Sequence, residues 1–266
     1  MNNLQDEKTF FNEISPKIFE LVASFSGNAS VSVEKAVGDY ATEVDIAVEN
    51  LIVSEINARF PSDMILAEES HSDTQIPEGR IWIIDPICGT QNIGRGMKNY
   101  CTNIALAENS VLIASCVLDH SQNDYIWSIG DTKVYINDTL FEVPTRSKEF
   151  GIIIDVDMGS LTKSHSQDAK EKFSNTLHTL ITKTDYMLTS LNTSLTFAYA
   201  AIGKLDGFIN TSNHPWDICA SSFLLQQVGG TISDLHGKPW AVSSVGAIGS
   251  LDPAIHKSLV SFQNRQ

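Results

Sequence analysis

The sequence predicts a chain of mixed α+β and α/β class that folds as one unit of 266 residues. Runs rich in apolar and β-branched residues follow one another closely over 100–136, which is typical of an antiparallel meander. From 151 onward, short apolar runs alternate with helical patterns, which indicates an α/β arrangement. We therefore expect a single domain, with an α+β half at 1–145 that carries a mixed or antiparallel sheet and an α/β half at 146–266.

Helical spacing of apolar residues predicts two helices near the start of the chain, over about 5–25 and 43–60. Pro16 lies inside the first, so we expect a kink or a late start there. Thr42 is a suitable N-cap for the second helix, and Asp45 stands three residues later, where the acid of a capping box belongs. Capping alone would account for Asp45.

Two short apolar runs, at 64–67 and 81–85, predict buried strands that each lead to an acid. Glu68 follows the first strand directly. The second is expected to end on Asp85, because Pro86 cannot donate a ladder hydrogen bond. Two acids at the ends of successive buried strands are harder to dismiss as surface groups than either one alone.

A glycine and a threonine, Gly89 and Thr90, then begin a short predicted helix. A buried carboxylate is costly unless a partner compensates its charge. A cation would compensate the charge of Asp85, and a phosphate would accept hydrogen bonds from the free amides of Gly89 and Thr90 at the helix start. The alternative is a capped turn beside a solvated Asp85.

The same patterns define the remaining elements. Further strands are predicted at 31–35, 100–108, 111–119, 125–129, 133–136, 151–155, 186–188, 207–210, 231–235 and 245–248, and further helices at 168–181, 194–202, 215–228 and 253–262. Pro215 suits the first turn of its helix, and the glycine pair 229–230 suits its end. Asp217 lies in that first turn, where interaction with the helix dipole would alone explain it.

Composition narrows the class of partner. A formal net charge of -14 disfavours a nucleic-acid polymer or an anionic membrane, although bound cations would still allow a small phosphorylated metabolite. The four cysteines show no CxxC spacing, and no apolar run reaches the length of a membrane span. The N-terminal residues also lack the pattern of a signal peptide. We therefore expect a cytoplasmic protein with free thiols.

Several motifs in series carry a resemblance. They are AEES at 67–70, WIIDPICGT at 82–90, PWDICAS at 215–221 with the glycines 229–230, DYATEVD at 39–45, KLDGF at 204–208 and GKPW at 237–240. In this order, and covering roughly 35–256, they resemble the inositol monophosphatase family of Mg²⁺-dependent, lithium-sensitive phosphatases. The resemblance implies a layered α/β/α/β/α sandwich of the sugar-phosphatase type, a homodimer, and a small phosphate monoester as substrate.

The resemblance also implies a set of metal ligands. Glu68, Asp85 and the main-chain carbonyl of Ile87 would hold a first Mg²⁺. Asp85 would bridge to a second ion that Asp217 also binds. In two-metal hydrolysis, one ion lowers the pKa of the attacking water and the other stabilises the leaving oxygen.

The remaining roles follow from the same resemblance. Thr90, with Asp45 as its partner and Glu68 nearby, would orient the attacking water, which gives Asp45 a catalytic role beside that of cap. The residues expected to contact the substrate are Cys88, Gly89, Thr90, Asn192, Thr193, Asn210 and Asp217. Asn210 stands where the family has an acid, so inositol phosphate, histidinol phosphate, sugar phosphates and 3′-phosphonucleotides all stay open as substrates.

Cys88 departs from the family pattern, which has a metal-binding Asp at this position. A neutral thiol is a poor ligand for Mg²⁺, so we expect one firm Mg²⁺ site and a weakened or water-completed second site. A second interpretation is that the thiolate selects Mn²⁺ or Zn²⁺. A third is a weakened enzyme that binds a phosphorylated ligand without efficient turnover. A nucleotide-dependent dehydrogenase is disfavoured, because no GxGxxG follows a strand.

Overall fold

The computed structural model describes residues 4–25, 31–36, 39–73, 78–144, 148–158, 166–211 and 214–264. The helices are α1 (Gln5–Ser24), α2 (Glu43–Arg59), α3 (Thr90–Ile93), α4 (Gln167–Lys183), α5 (Leu195–Ala201), α6 (Pro215–Gln227) and α7 (Pro253–Gln263). The strands are β1 (Val31–Ala36), β2 (Asp39–Thr42), β3 (Met64–Ala67), β4 (Arg80–Cys88), β5 (Cys101–Glu108), β6 (Val111–Asp119), β7 (Asp124–Ser128), β8 (Val134–Ile136), β9 (Thr139–Phe141), β10 (Ile153–Val156), β11 (Met187–Thr189), β12 (Gly207–Asn210), β13 (Thr231–Ser233) and β14 (Ala247–Ser250). A 3₁₀ turn spans Lys148–Phe150.

The larger sheet contains seven strands in the order β3-β4-β5-β6-β7-β8-β9. β3 and β4 run parallel, and every later pair is antiparallel, as the predicted meander requires. The hairpin of β5 and β6 turns at Asn109 and Ser110, whose φ angles of 53° and 64° lie in the left-handed region. Strands β2 and β9 were not expected from the sequence.

The smaller sheet has five strands in the order β11-β10-β12-β14-β13. β10 runs parallel to both of its neighbours, whereas β14 is antiparallel to β12 and β13. The predicted alternation of strands and helices is therefore present, in a mixed sheet. β14 begins two residues later than expected, because Gly246 still belongs to the preceding turn with a φ of 74°.

Three apolar cores separate the layers. α1 and α2 pack on one face of the seven-stranded sheet, around residues that include Ile18, Ile52 and Trp82. α5 and α6 lie between the two sheets, and α4 and α7 cover the outer face of the smaller sheet. This order of layers is the α/β/α/β/α sandwich that the resemblance implied. Within the described ranges, none of the helices combines the length and the hydrophobicity of a membrane span.

β4 is the second strand of the larger sheet and is buried on both faces, as expected. Trp82 packs into the core with α1 and α2, whereas Ile83 packs into the central layer. The Trp82 indole N–H donates to Asp63 Oδ2 at 2.9 Å, so the largest buried side chain has no unsatisfied polar group. Burial of each such side chain contributes about 1.5–3 kcal/mol.

One of the two alternatives expected at Pro16 is excluded, and the expected end of β4 was wrong. α1 begins at Gln5 and continues through Pro16, so the late start does not occur. β4 does not end on Asp85 but runs to Cys88, which pairs with Cys101 beyond an irregularity in the ladder. Pro86 lies within this irregularity, where its missing N–H costs no regular ladder bond.

Candidate metal and phosphate site

The centre of the site is the carboxylate of Asp85, which is only 1% exposed. Neither of its oxygens has a hydrogen-bond partner in the described part of the chain. Ligand atoms of Asp85, Cys88 and Asp217 all lie within 4.8 Å of one another. Glu68 is outside this trio, but it follows directly after Ala67 of β3, and its charge acts on Asp85.

Electrostatics make this cluster unfavourable without a cation. Burial raises the pKa of Asp85 well above its usual range, and the neighbouring Cys88, Glu68 and Asp217 raise it further. The hydrogen bond with Cys101 raises the pKa of the Cys88 thiol, together with burial and the charge of Asp217. Cys88 thus holds its proton more tightly than an exposed thiol, and Asp85 holds a proton more tightly than a solvated carboxyl group.

The donor set fits a hard divalent cation at the carboxylates and fits it poorly at the thiol. A buried carboxylate with two unpartnered oxygens is a costly group that a cation would compensate. Mg²⁺ prefers oxygen ligands, and Asp85 and Asp217 provide them. The Cys88 thiol is the one member of the trio that does not suit this ion.

Thr90 and Asp45 lie beside this cluster in direct contact. The Thr90 hydroxyl is 3.0 Å from Asp45 Oδ1 and 3.0 Å from the main-chain carbonyl of Ile87. The other Asp45 oxygen accepts from the amide of Thr42 at 3.0 Å and contacts the Thr42 hydroxyl, which completes the predicted capping box. Asp45 therefore caps α2 with one oxygen and contacts Thr90 with the other, so these two roles do not exclude each other.

Burial raises the pKa of Asp45, whereas its hydrogen bonds with Thr42 and Thr90 lower it. Desolvation is the larger effect, so this carboxylate holds a proton more tightly than a solvated Asp does. Such a group lies closer to the range that suits proton transfer near neutral pH.

Gly89 occupies a position that strongly favours glycine. Its φ is 105°, and a Cβ there would lie 3.0 Å from the carbonyl oxygen of Asn99 and 3.3 Å from Cβ of Thr193. The chain then enters α3 at Thr90. The first N–H groups of a helix have no partner within the helix, so this tight turn presents amides beside the acid cluster.

The segment 191–194 lies against this turn from the second half of the chain. The Thr193 hydroxyl donates to the Cys88 carbonyl at 2.9 Å, and the Ser194 amide donates to Cys88 Sγ at 3.1 Å. Asn192 has a positive φ of 53°. Asn92 holds the segment in place, because its Nδ2 donates to the Leu191 carbonyl at 2.8 Å.

Asn210 was also predicted to contact the substrate, but its side chain lies in a different cluster. Its Nδ2 donates to Asp157 Oδ2 at 2.8 Å, at the carboxyl end of β12. The structure thus brings together Asp85, Cys88 and Asp217, with Thr193 beside them. Asn210 instead pairs with Asp157, the residue directly after the neighbouring strand β10.

Sequence reasoning missed two supporting groups. Glu49, 2% exposed, accepts from the Glu69 amide at 2.8 Å and contacts the Ser70 hydroxyl, which holds the turn that carries Glu68. Its position one helical turn after Asp45 was the available signal. Thr102 donates to the Pro86 carbonyl at 2.7 Å and lies 3.0 Å from His120 Nε2, a contact that has no sequence pattern.

Comparisons with known proteins show which chains this one is similar to. The model of the inositol monophosphatase family matches residues 5–265. Inositol-1-monophosphatase of Bacillus subtilis is 25% identical over 240 residues, which are 90% of this chain and 89% of that protein. The Nus factor SuhB of Xylella fastidiosa is 28% identical over 205 residues, which are 77% of this chain and 72% of that protein.

The fold also matches a solved structure of an IMPase/NADP phosphatase complexed with Mg²⁺ and phosphate. The TM-score is 0.84, and the match covers 100% of this chain and 97% of that chain. At 21% sequence identity, this similarity concerns the fold alone.

Proposed function

The chain belongs to the inositol monophosphatase family, and we propose that it is a metal-dependent phosphatase that hydrolyses a small phosphate monoester. The observation that carries the proposal is the buried carboxylate of Asp85, unpartnered and within 4.8 Å of Asp217 and Cys88 ligand atoms. A ligand-free carboxylate in this environment is costly, and a divalent cation is the simplest group that compensates it.

A weakened second site would lie at Asp85 and Asp217, and Glu68, Asp85 and the Ile87 carbonyl would hold one firm Mg²⁺. When bound, this ion lowers the pKa of the attacking water and stabilises charge on the phosphate oxygens. The Thr90 hydroxyl has one proton, which it can donate to Asp45 Oδ1 at 3.0 Å. Its oxygen then accepts a hydrogen bond from the attacking water and so orients it.

The phosphate is assigned to the turn at Gly89 and Thr90. Gly89 allows this turn because the close approach of Asn99 and Thr193 leaves little room for a side chain, and the turn would offer its amides to the phosphate. The alcohol portion would lie toward Asn192 and Thr193, whose segment is tied to the Cys88 carbonyl. Recognition of phosphate by main-chain amides needs no basic side chain, which suits an acidic protein.

Phosphate release from a panel of small phosphomonoesters in the presence of Mg²⁺ tests the proposal. Thr90→Ala should lower kcat by about 10²–10³-fold, because the water loses its orienting group. Thr182→Ala is the matched control, since Thr182 is exposed on α4 and bonds only its own helix. Glu68→Gln should lower activity and weaken the Mg²⁺ dependence together.

Two results would contradict this function. One is Mg²⁺-independent phosphate release, and the other is a Thr90→Ala variant as active as Thr182→Ala. The panel should also be run with Mn²⁺ and Zn²⁺, because preference for either metal would favour the interpretation in which the Cys88 thiolate selects a softer ion.

The second candidate is a weakened family member that binds a phosphorylated ligand without efficient turnover. Cys88 favours it, because a thiol that holds its proton is one of the three members of the cluster with Asp85 and Asp217. This candidate predicts that Mg²⁺ and inorganic phosphate together raise the melting temperature while no ester is hydrolysed. Cys88→Asp would then raise phosphate release from near zero by orders of magnitude.

A further inference from the structure

A buried hydroxyl bonds the main chain of β4 at the irregularity beside the acid cluster. Asp85 and Cys88 are both in register with β5, so two residues between them, Pro86 and Ile87, stand opposite Thr102 alone. This is the residue count of a β-bulge. The Thr102 hydroxyl, which is fully buried, donates to the Pro86 carbonyl at 2.7 Å. It therefore holds the peptide group that lies between the Asp85 side chain and the Ile87 carbonyl.

The Thr102 hydroxyl has one proton, and its use determines the direction of the neighbouring hydrogen bond. A carbonyl oxygen can only accept, so the hydroxyl proton is donated to Pro86. The Thr102 oxygen also lies 3.0 Å from His120 Nε2, where it must then be the acceptor. His120 therefore carries a proton on Nε2, and the donors run in one direction from His120 through Thr102 to the Pro86 carbonyl.

The His120 ring is held in this orientation by two aromatic rings. Tyr100 stacks on it with the ring centroids 5.0 Å apart and an interplanar angle of 25°. Phe19 of α1 contacts it edge-on at 5.3 Å and 81°. Burial lowers the pKa of His120 to about 3, although the charge of Asp119 opposes this, so the ring carries a single proton at neutral pH. The contact with Thr102 determines which nitrogen carries that proton.

Tyr100 connects the same ring to the phosphate turn. A Cβ at Gly89 would lie only 3.2 Å from Cβ of Tyr100, so Tyr100 packs directly against this turn. His120 thus supports the segment 86–89 at both ends, through Thr102 at Pro86 and through Tyr100 at Gly89.

We propose that Thr102 and His120 are positioning residues of the metal site. His120, protonated on Nε2, orients the Thr102 hydroxyl, and this hydroxyl fixes the bulge so that Asp85 and Ile87 direct their oxygens toward one cation. The proposal rests on the metal-dependent function proposed above. Groups that orient metal ligands from behind typically change metal affinity by about 10–100-fold when they are removed.

Calorimetric titration of the metal-free protein with Mg²⁺ alone tests this role without turnover. Thr102→Val removes the hydroxyl but keeps the branched side chain, and it should raise the Kd of the tighter Mg²⁺ site by about tenfold. Thr102→Ser restores a hydroxyl and should restore the wild-type Kd. The matched control is Thr176→Val, which removes a buried hydroxyl that bonds a main-chain carbonyl of α4, and it should leave the Kd unchanged.

Nuclear magnetic resonance provides a second readout that needs no folded Thr102 variant. In the metal-free wild-type protein at neutral pH, long-range ¹H–¹⁵N correlation spectra should show the His120 proton on Nε2, with the signal assigned by its loss in His120→Gln. A proton on Nδ1 instead would overturn the proposal, because the Thr102 hydroxyl would then donate to His120 and release the Pro86 carbonyl.

The outcomes separate this inference from the proposed function. Mg²⁺-dependent phosphate release together with equal Kd values for Thr102→Val and Thr176→Val would overturn the positioning role while the hydrolysis stands. A weaker Mg²⁺ site in Thr102→Val, in a protein whose wild type releases no phosphate, would retain the positioning role and refute the hydrolysis. Failure of the wild-type protein to bind Mg²⁺ would overturn both.

Discussion

Replacement of Asp85 by Asn should stabilise the metal-free protein. The variant keeps the size of the side chain but removes a buried charge whose two oxygens have no partner. At the 4.8 Å limit of the cluster, two unit charges repel by about 3.5 kcal/mol at an effective dielectric constant of about 20. Asp85 avoids part of this cost by taking up a proton, so we expect a gain of about 2 kcal/mol, or roughly 4–8 °C in melting temperature.

The sign of the pH dependence follows from the raised pKa of Asp85. Above the unfolded-state pKa, the folded protein binds the proton that the unfolded chain has lost, so stability falls as the pH rises. The advantage of Asp85→Asn over wild type in chelator should therefore grow between pH 5 and pH 8. Asp131→Asn, which changes an exposed acid, should show no such trend.

Added Mg²⁺ should reverse the order of the two proteins. At about 1,000 times its Kd, an ion that binds only the folded state stabilises it by about 4.1 kcal/mol. The wild type should gain this amount, and Asp85→Asn should gain almost none, so the melting curves exchange places in a thermal scan. An equal response of both proteins to Mg²⁺, or a less stable variant in chelator, would refute the metal assignment at Asp85.

Three further substitutions test separate parts of the site. Cys88→Asp should lower the Mg²⁺ concentration for half-maximal activity by about tenfold, whereas Cys88→Ser should not, because only the carboxylate is a hard ligand. Gly89→Ala should lower the free energy of unfolding, measured by chemical denaturation, by about 2–4 kcal/mol, because a Cβ there meets nearby atoms. Gly96→Ala should lower it by only about 1 kcal/mol, because a Cβ there meets open space. Burial lowers the pKa of His120 to about 3, so below about pH 6.5 the unfolded chain binds a proton that the folded protein does not, and stability falls. In thermal melts at acid pH, His120→Gln should reduce that loss of stability, whereas His178→Gln, at an exposed position, should not.

Local signals in the sequence predicted helix starts and tight turns well, because particular residue types are favoured at these positions. Thr42 and Asp45 identified the start of α2, and the Asn109-Ser110 pair identified the hairpin turn. Strand β9 was missed because its three residues, Thr139–Phe141, are too short for a periodic pattern. The extent of β4 beyond Asp85 was missed because the sequence does not show that a ladder irregularity accommodates Pro86.

Contacts between distant segments could not be predicted from the sequence, because they depend on which strands are neighbours in the sheets. The motifs suggested that Glu68, Asp85 and Asp217 belong to one site, but only through resemblance. The hydrogen bond of Asn210 with Asp157 depends on β10 and β12 being neighbours in the smaller sheet, which strand order along the chain does not specify.

Helix α2 connects the two halves of the proposed catalytic machinery. Asp45 contacts the Thr90 hydroxyl, and Glu49, one turn further on, accepts from the Glu69 amide. The same helix face therefore positions both the water-orienting residue and the turn that carries Glu68. Glu49 thus acts on the site by holding the turn that carries Glu68. Glu49→Gln retains a side-chain acceptor but loses the charge that strengthens these hydrogen bonds.

The single parallel pair of the larger sheet explains why the acids converge. Ala67 pairs with Ile84 in the parallel ladder of β3 and β4, so Glu68, directly after β3, comes beside Asp85 of β4. In an antiparallel pairing, Glu68 would face the beginning of β4 near Ile81, roughly 14 Å from Asp85 at about 3.4 Å per residue. One cation could not then interact with both acids. The site thus requires that the short edge strand β3 runs parallel to β4. This parallel pair is also where the sheet departs from an antiparallel meander.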